Sequence, residues 1–408
     1  MKRFVNHPAT LLTVALLVQV VIAFLGANSS QHPMGDVVYA YEPWMDAMIS
    51  GGKWFGINTA WVYPYPALVP LFLVQAITPN AFLVGWLILA IALNQVALWY
   101  LLRKVPTAKR LVWFWIVATI ALGPVALSRL DGLSVSLAIF GVANLLSGHL
   151  TKSSVWLTLA SWLKVWPVAI LTALMLPLDN RLKVLRAVLY SSLALVILGY
   201  LLGGNQSLFS FILAQGNRGI QIESIVAMPW VWADVQHQGA HIYFDTNILT
   251  FQVRGAGTLK IARSMGWFML GAVLLTFALA LVAKIRKAKT SDLVSFTALA
   301  LTLDLILFNK VGSPQYLGWL IVPVMIGLSY RVRGWWLGIF GVLLATVGTQ
   351  IIYPNVYDDL LNAQLLPVIL LTVRNAIEVA IFAWTIWRLA QLAFKKQTQE
   401  ASHDLILD

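Results

Sequence analysis

Residues 8–27, PATLLTVALLVQVVIAFLGA, form an apolar run that contains no charged side chain. About 20 such residues are enough for a helix to cross the hydrocarbon core of a bilayer. Similar runs recur along the chain, in which 60% of the 408 residues are hydrophobic and 11% are charged. So few charges cannot cover the surface of a soluble protein of this size. The sequence therefore predicts an all-α polytopic membrane protein.

The formal net charge of +12 is distributed in short basic clusters between the apolar runs, such as Lys284, Arg286 and Lys287. This distribution is typical of the cytoplasmic loops of membrane proteins, which also attract anionic lipid. We therefore expect a multi-pass protein of the plasma membrane with both termini in the cytoplasm and with no nucleic-acid partner. The chain has no Cys, which excludes a disulfide framework and thiol chemistry.

The number of predicted spans depends on two interrupted apolar segments, residues 67–78 and 154–177. If both cross fully there are about twelve spans, and if both are broken or re-entrant there are about ten. The second interpretation is favoured because it places the basic cluster from Arg103 to Arg110 in the cytoplasm. We expect residues 1–394 to form a single transmembrane domain and residues 395–408 a cytoplasmic tail. The predicted outer loops are 28–66, 204–265 and 309–314.

The first outer loop brings carboxylates and aromatic side chains together directly after the first span. Asp36 and Glu42 are the first two acids of this loop, and Tyr39 and Tyr63 are among its aromatic residues. Carboxylates beside aromatic rings suit a polar, sugar-like ligand, and a carboxylate can transfer a proton or bind a metal. The alternative is that Asp36 caps a short interfacial helix and that the aromatic residues form an ordinary interfacial belt.

The segment 218–223, RGIQIE, alternates apolar and polar residues and predicts a short extended strand. Arg218 suits a lipid phosphate because its guanidinium can bind two phosphate oxygens at once. Gln221 and Glu223 are candidate substrate-binding residues in the same segment. The alternative is a surface ion pair between Arg218 and Glu223 that only orders the loop.

A tight outer hairpin is predicted at residues 308–319, FNKVGSPQYLGW. Lys310 can neutralise a phosphate, and Gln315 and Tyr316 can form hydrogen bonds with hydroxyl groups. The alternative is that Lys310 only extends from a helix end towards the membrane surface.

Five more charged residues lie in or beside predicted spans. A carboxylate at Asp304 is costly in an apolar run and is usually functional or paired. Asp131 follows a polar corner between two spans, and Lys164 precedes a proline that breaks an apolar segment. Both are candidate substrate-binding residues. Arg374 and Glu378 are four residues apart, which predicts a structural ion pair on one helix face.

Five motifs occur in an order that resembles the actinobacterial membrane glycosyltransferases grouped around glycosyltransferase family 87, in the GT-C class. They are GDVVYAY at 35–41, LSRLDGL at 127–133, LKVWP at 163–167, RGIQIES at 218–224 and FNKVGSPQYLGWL at 308–320. The last motif also resembles the FNKV-TSQY-FLW signature of the eukaryotic GPI mannosyltransferase I.

The resemblance implies a GT-C-like bundle of about 10–12 transmembrane helices with a catalytic acid in the first outer loop. It also implies a polyprenyl-phosphate sugar as donor, most often of mannose, and a glycolipid, glycan or glycoprotein acceptor outside the cytoplasm. Asp36 matches the position of the first-loop acid. The segment from Val62 to Pro66 lacks the acid and the paired prolines of many relatives. This departure favours a lone base at Asp36, and it leaves a divalent metal possible but not indicated.

On this interpretation Asp36 is the general base of an inverting transfer, and Lys310 and Arg218 hold the donor phosphate. The expected substrate-binding residues are Tyr39, Glu42, Tyr63, Asp131, Lys164, Gln221, Glu223, Gln315 and Tyr316. Two other classes remain open: a flippase or transporter of lipid-linked sugars, and a non-catalytic subunit of an envelope glycan assembly complex.

Overall fold

The computed structural model describes residues 7–176, 180–213, 218–246 and 248–394. Among these residues, eight helices are long and apolar enough to cross a membrane. The prediction of an all-α polytopic membrane protein is therefore confirmed. The chain divides into two compact units, Met1–Gln215 and Gly216–Asp404. The predicted cytoplasmic tail, residues 395–408, lies outside the described residues.

The first unit is helical throughout its regular structure. Its helices are α1 Pro8–Ala27, α2 Glu42–Gly51, α3 Leu68–Ile77, α4 Phe82–Lys104, α5 Ala108–Leu122, α6 Leu130–Leu146, α7 Leu150–Leu163, α8 Val168–Met175, α9 Arg181–Leu201 and α10 Ser210–Leu213.

Helices α1 and α4 run antiparallel. Near the start of α4, the indole nitrogen of Trp86 donates to the carbonyl oxygen of Leu127 at 2.8 Å, and the Trp86 ring lies 5.0 Å from the ring of Tyr41. Tyr41 follows α1 in the chain, so α4 begins near the end of α1. Later in α4, the Gln95 carboxamide lies 3.2 Å from the carbonyl oxygen of Leu12, near the start of α1.

Helix α3, between α1 and α4, is too short to cross a bilayer. Its ten residues extend about 15 Å, half of the roughly 30 Å hydrocarbon core. Because α4 starts at the same end of the unit at which α1 stops, α3 enters and returns at that end. This arrangement favours the interpretation with about ten spans.

The apolar segment 154–177 is broken, as its Lys-Val-Trp-Pro sequence indicates. Helix α7 ends at Leu163, Lys164 is extended, and α8 begins after Pro167. A proline has no N–H to donate and disfavours the helical conformation of the residue before it, so the helix stops there. Two other predicted spans, near 131–147 and 315–330, are shorter apolar helices in the structure.

The second unit combines long helices with a small antiparallel sheet. Its elements are β1 Ile220–Gln221, α11 Met228–Val235, β2 His241–Asp245, β3 Thr250–Arg254, α12 Thr258–Ile285, α13 Thr290–Leu307, α14 Ile321–Ser329, α15 Trp336–Gln350, α16 Tyr357–Leu361 and α17 Leu365–Phe394.

The strands lie in the order β1-β3-β2, and Val253 of β3 pairs with Ile220 on one side and Ile242 on the other. This apolar face packs on Val231 and Leu371, among other residues. The short extended segment predicted at 218–223 is therefore present, although both of its sides are buried. Helix α12 begins at Thr258, inside the predicted outer loop 204–265.

The topology can be tested by cysteine labelling, because the chain has no cysteine of its own. Gln206, Gln238, Lys109 and Lys287 are all exposed. Gln206→Cys and Gln238→Cys should react with a membrane-impermeant thiol reagent in intact cells, because both lie in a predicted outer loop. Lys109→Cys and Lys287→Cys should react only after permeabilisation. Reaction of Lys109→Cys in intact cells would support about twelve spans instead of ten.

Candidate functional site

Asp36 forms an ion pair with a buried arginine. Its Oδ2 lies 2.9 Å from Nε of Arg129, whose side chain is 9% exposed, whereas that of Asp36 is 37% exposed. Asp36 occupies the N-cap position of the helical turn that follows it, but its side chain makes no capping hydrogen bond to that turn. The buried guanidinium orients the carboxylate, and part of the carboxylate stays accessible.

Tyr41 completes the surroundings of this pair. Its hydroxyl accepts a hydrogen bond from the backbone N–H of Leu130 at 3.2 Å. Burial raises the pKa of Tyr41 well above its ordinary value, and the neighbouring Tyr63 and Asp36 raise it further, whereas Arg129 opposes them. Tyr41 therefore keeps its proton at neutral pH.

Arg129 and Tyr41 are functional candidates that the sequence did not identify. The sequence selected Tyr39, but that side chain is 60% exposed and its ring lies 6.3 Å from the ring of His32. Val37–Tyr41 form a π-helical turn, in which residues five apart lie above one another. This turn brings Tyr41 to the side of Asp36. Arg129 lies within the LSRLDGL motif, and this motif is the sequence feature that could have identified it.

Three of the predicted substrate-binding residues lie together: two form a second ion pair, and the third places its aromatic ring beside that pair. Nζ of Lys164 lies 3.2 Å from Oδ2 of Asp131 and 4.5 Å from the centre of the Tyr63 ring. The break between α7 and α8 is held by Trp166, whose indole nitrogen donates to the hydroxyl of Ser134 at 2.7 Å. Lys164 thus reaches Asp131 because the helix stops immediately before it.

The two ion pairs share one structural support, the start of α6. Arg129 immediately precedes this helix, and Asp131 lies in its first turn, where a negative charge is favourable. Glu42 lies elsewhere, in the first turn of α2. Burial raises the pKa of Glu42, and the negative charge of Asp46 raises it further. The first unit therefore brings Asp36, Tyr63, Asp131 and Lys164 to the region around α6.

In the second unit, Lys310 and Arg218 lie within electrostatic range of each other. Burial lowers the pKa of Lys310, and the positive charge of Arg218 lowers it further. None of the ion pairs formed by the described residues joins Arg218 to Glu223, so the predicted alternative for this loop is wrong. Two cations held near each other favour the binding of an anion.

The loop that carries Lys310 rests on β1. The backbone N–H of Gln221 donates to the carbonyl oxygen of Lys310 at 2.9 Å, and the Ser313 hydroxyl donates to Oε1 of Gln221 at 3.1 Å. Gly312 packs against the backbone of Ser224, where a Cβ would lie 2.4 Å from the Ser224 Cα. Only glycine fits there without a shift of one backbone.

Gln315 and Tyr316 are both buried in the turn that precedes α14. The Tyr316 ring stacks on the Trp319 ring, with 3.9 Å between their centres. The structure therefore places these two predicted substrate-binding residues inside the second unit, where they help to pack the turn after the Lys310 loop.

Glu223 belongs to a buried polar network. Oε1 of Glu223 accepts a hydrogen bond from the Tyr357 hydroxyl at 2.6 Å, and its carbonyl oxygen accepts one from Nη2 of Arg374 at 3.4 Å. Arg374 also pairs with Glu378 at 2.8 Å, which confirms the predicted pair. Burial raises the pKa of Glu223, although the Tyr357 hydrogen bond opposes this effect.

Asp304 is fully buried in α13, beside Thr276 of α12. Among the described residues, no hydrogen bond of normal geometry reaches its carboxyl oxygens.

The described part of the chain contains no group of three or more His, Asp or Glu side chains that could hold a metal ion. No protein-family model and no curated protein matches this chain. A functional assignment therefore has to be argued from the geometry.

Burial of Glu223 should make the stability of the protein depend on pH. Because its folded-state pKa is raised, the stability contributed by Glu223 is fully present below its ordinary value of 4.5 and is lost as pH rises through the folded value. Glu223→Gln is neutral at every pH. The melting temperature of Glu223→Gln in detergent should therefore rise relative to that of the parent protein as pH increases from about 4.5 to 8.

Asp358→Asn is the matched control, because Asp358 is an exposed acid next to Tyr357. The change in this difference with pH should be larger for Glu223→Gln than for Asp358→Asn. A difference for Glu223→Gln that stays constant with pH would contradict the raised pKa.

Proposed function

We propose that this chain is a membrane glycosyltransferase that moves a hexose from a polyprenyl-phosphate sugar to a glycolipid, glycan or glycoprotein acceptor. The observation that carries the proposal is the oriented and partly accessible carboxylate of Asp36, held by the buried guanidinium of Arg129. An accessible carboxylate in a fixed orientation suits a general base, because proton transfer needs a defined geometry.

The chemical step is a direct displacement at the anomeric carbon of the donor sugar. The proton of the acceptor hydroxyl passes to the Asp36 carboxylate as the acceptor oxygen forms its bond to that carbon. The bond between the anomeric carbon and the phosphate oxygen breaks, and its electron pair leaves with polyprenyl phosphate. The configuration of the anomeric carbon is inverted. Stabilisation of the departing phosphate is the second requirement of this reaction.

Lys310 and Arg218 of the second unit are proposed to bind the donor phosphate. Burial lowers the pKa of Lys310, and repulsion by Arg218 lowers it further. An anion bound to both groups would relieve that repulsion. Mannose as the transferred sugar follows only from the resemblance of the five motifs. The use of a lipid-linked donor explains an extracytoplasmic site in the plasma membrane, because nucleotide sugars are cytoplasmic.

Substitution of the base separates an enzyme from a carrier of lipid-linked sugars. Asp36→Asn keeps the size of the side chain but removes its basicity, and loss of a general base costs on the order of 10² to 10⁴ in rate. Asp36→Asn also removes the negative charge that faces the buried Arg129, so its melting temperature should fall. The folded variant should still bind the lipid donor, yet transfer sugar slowly in an assay of the purified protein. Asp46→Asn is the control, since Asp46 is an exposed acid of the same loop.

Asp46→Asn should transfer sugar at nearly the parent rate. Near-parent transfer by Asp36→Asn, with donor and acceptor saturating, would reject Asp36 as the base. If neither the parent nor Asp36→Asn makes a glycosidic bond but both move lipid-linked sugar across vesicles, the chain is a carrier.

The proposed phosphate site predicts a specific pattern of inhibition by polyprenyl phosphate. Lys310→Ala and Arg218→Ala should each weaken this inhibition by about 1.5–3 kcal/mol, the range for hydrogen bonds to charged groups. Inhibition of the parent should also decline as the pH rises, and this decline should begin below pH 10.5, the ordinary pKa of a lysine, because the pKa of Lys310 is lowered. Lys260→Ala, which removes an exposed cation of the same unit, should behave like the parent. Equal inhibition of all four proteins would remove Lys310 and Arg218 from the phosphate site.

A further inference from the structure

Gln221 connects the Lys310 loop to the buried interior of the second unit. Its backbone N–H holds the Lys310 carbonyl oxygen, and its side-chain Oε1 accepts the Ser313 hydroxyl. The Gln221 side chain also lies beside the carboxylate of Glu223, which is fixed by Tyr357. A continuous line of polar contacts therefore runs from the loop through β1 to the network around Glu223.

The loop needs such a support because it carries Lys310, whose positive charge lies near that of Arg218. Lys310 and Arg218 carry like charges within electrostatic range of each other, and a loop that was free to move would let them separate. Immobilising a lysine side chain already costs rotamer entropy, and a backbone that is fixed in advance avoids the additional cost of ordering the loop on binding. The absence of a side chain at Gly312 lets the loop approach the backbone of Glu223 and Ser224, directly after β1, with Ser313 within hydrogen-bond distance of Gln221.

We propose that Gln221 is a positioning residue for Lys310, acting through its hydrogen bond with Ser313, and not a residue that contacts the substrate. This inference rests on the proposed binding of the donor phosphate by Lys310. Its basis is the direction of the Gln221 side chain, whose Oε1 accepts the hydrogen bond from Ser313; burial does not distinguish the two residues, because Lys310 is as buried as Gln221. Positioning of this kind changes the affinity for the phosphate without adding a contact to it.

The neighbouring strand provides a matched control. Gln252 of β3 lies directly opposite Gln221 in the sheet and is also buried. It accepts a hydrogen bond from the Tyr243 hydroxyl at 2.9 Å, and its side chain makes no hydrogen bond to residues 309–314 within the described part of the chain. Gln252→Ala therefore removes a comparable buried amide without touching the Lys310 loop.

A double-mutant cycle tests the proposal on the purified full-length protein. The inhibition constant of polyprenyl phosphate is measured for the parent, Gln221→Ala, Lys310→Ala and the double variant. Loss of one neutral hydrogen bond should raise this constant about three- to tenfold in Gln221→Ala. Because Gln221 acts through Lys310, the double variant should match Lys310→Ala to within about twofold.

Three further measurements separate positioning from a general loss of structure. Ser313→Ala should reproduce the effect of Gln221→Ala, whereas Ser313→Thr keeps the hydroxyl and should restore most of the affinity. The KM for the acceptor should stay at the parent value in Gln221→Ala, because the proposed effect is confined to the donor phosphate. Gln252→Ala should lower the melting temperature and raise the inhibition constant less than Gln221→Ala does, because Gln252 packs against Gly219, next to Arg218, and not against the Lys310 loop.

Two results would overturn the proposal while leaving the phosphate site intact. One is a double variant whose inhibition constant is raised by the full product of the two single effects, and the other is an unchanged constant in both Gln221→Ala and Ser313→Ala. An unchanged constant in Lys310→Ala is a different outcome, because it would overturn the proposed phosphate site and the positioning role together. If Gln221→Ala does not fold, the same cycle is completed with Ser313→Ala.

Discussion

The start of helix α6 carries the interaction on which the first unit depends, the pairing of opposite charges in surroundings that contain little water. Arg129 and Asp131 are both buried, and each is compensated by a partner of opposite charge, Asp36 or Lys164. A buried charge that loses its partner destabilises a protein strongly, so the four groups constrain one another. The consequence is that Asp36 is fixed in direction although it is partly exposed.

The second unit contains two arrangements of charge, a pair of opposite charges and two neighbouring positive charges. Arg374 and Glu378 neutralise each other inside α17, as expected for charges within a membrane segment. Arg218 and Lys310, by contrast, are two positive charges near each other. Two like charges near each other favour the binding of an anion, and the proposed phosphate site at Lys310 and Arg218 rests on this proximity.

Two apolar segments of the first unit do not form full membrane-spanning helices. In a membrane, backbone that leaves the helical conformation must be covered by protein or by water, so such breaks occur where a site needs them. The break after Leu163 turns Lys164 towards Asp131, and α3, with ten residues, is too short to cross a bilayer. Several predicted substrate-binding residues nevertheless have structural surroundings, since Gln315, Tyr316 and Glu223 are buried.

The sequence by itself determined the features that depend on neighbouring residues. Long apolar runs indicated the membrane helices, Pro167 indicated the break near Lys164, and the spacing of Arg374 and Glu378 indicated their pair, because helical geometry relates residues four apart. Only the tertiary structure decided which distant residues meet. Ser313 and Gln221 are 92 residues apart in the chain, and Tyr357 and Glu223 are 134 apart. The packing of α6 places Arg129 beside Asp36. A π-helical turn places Tyr41, and not Tyr39, near this pair, and no apolar periodicity predicts that turn. Contacts of this kind depend on how whole helices pack, and a pattern of neighbouring residues contains no information about that packing.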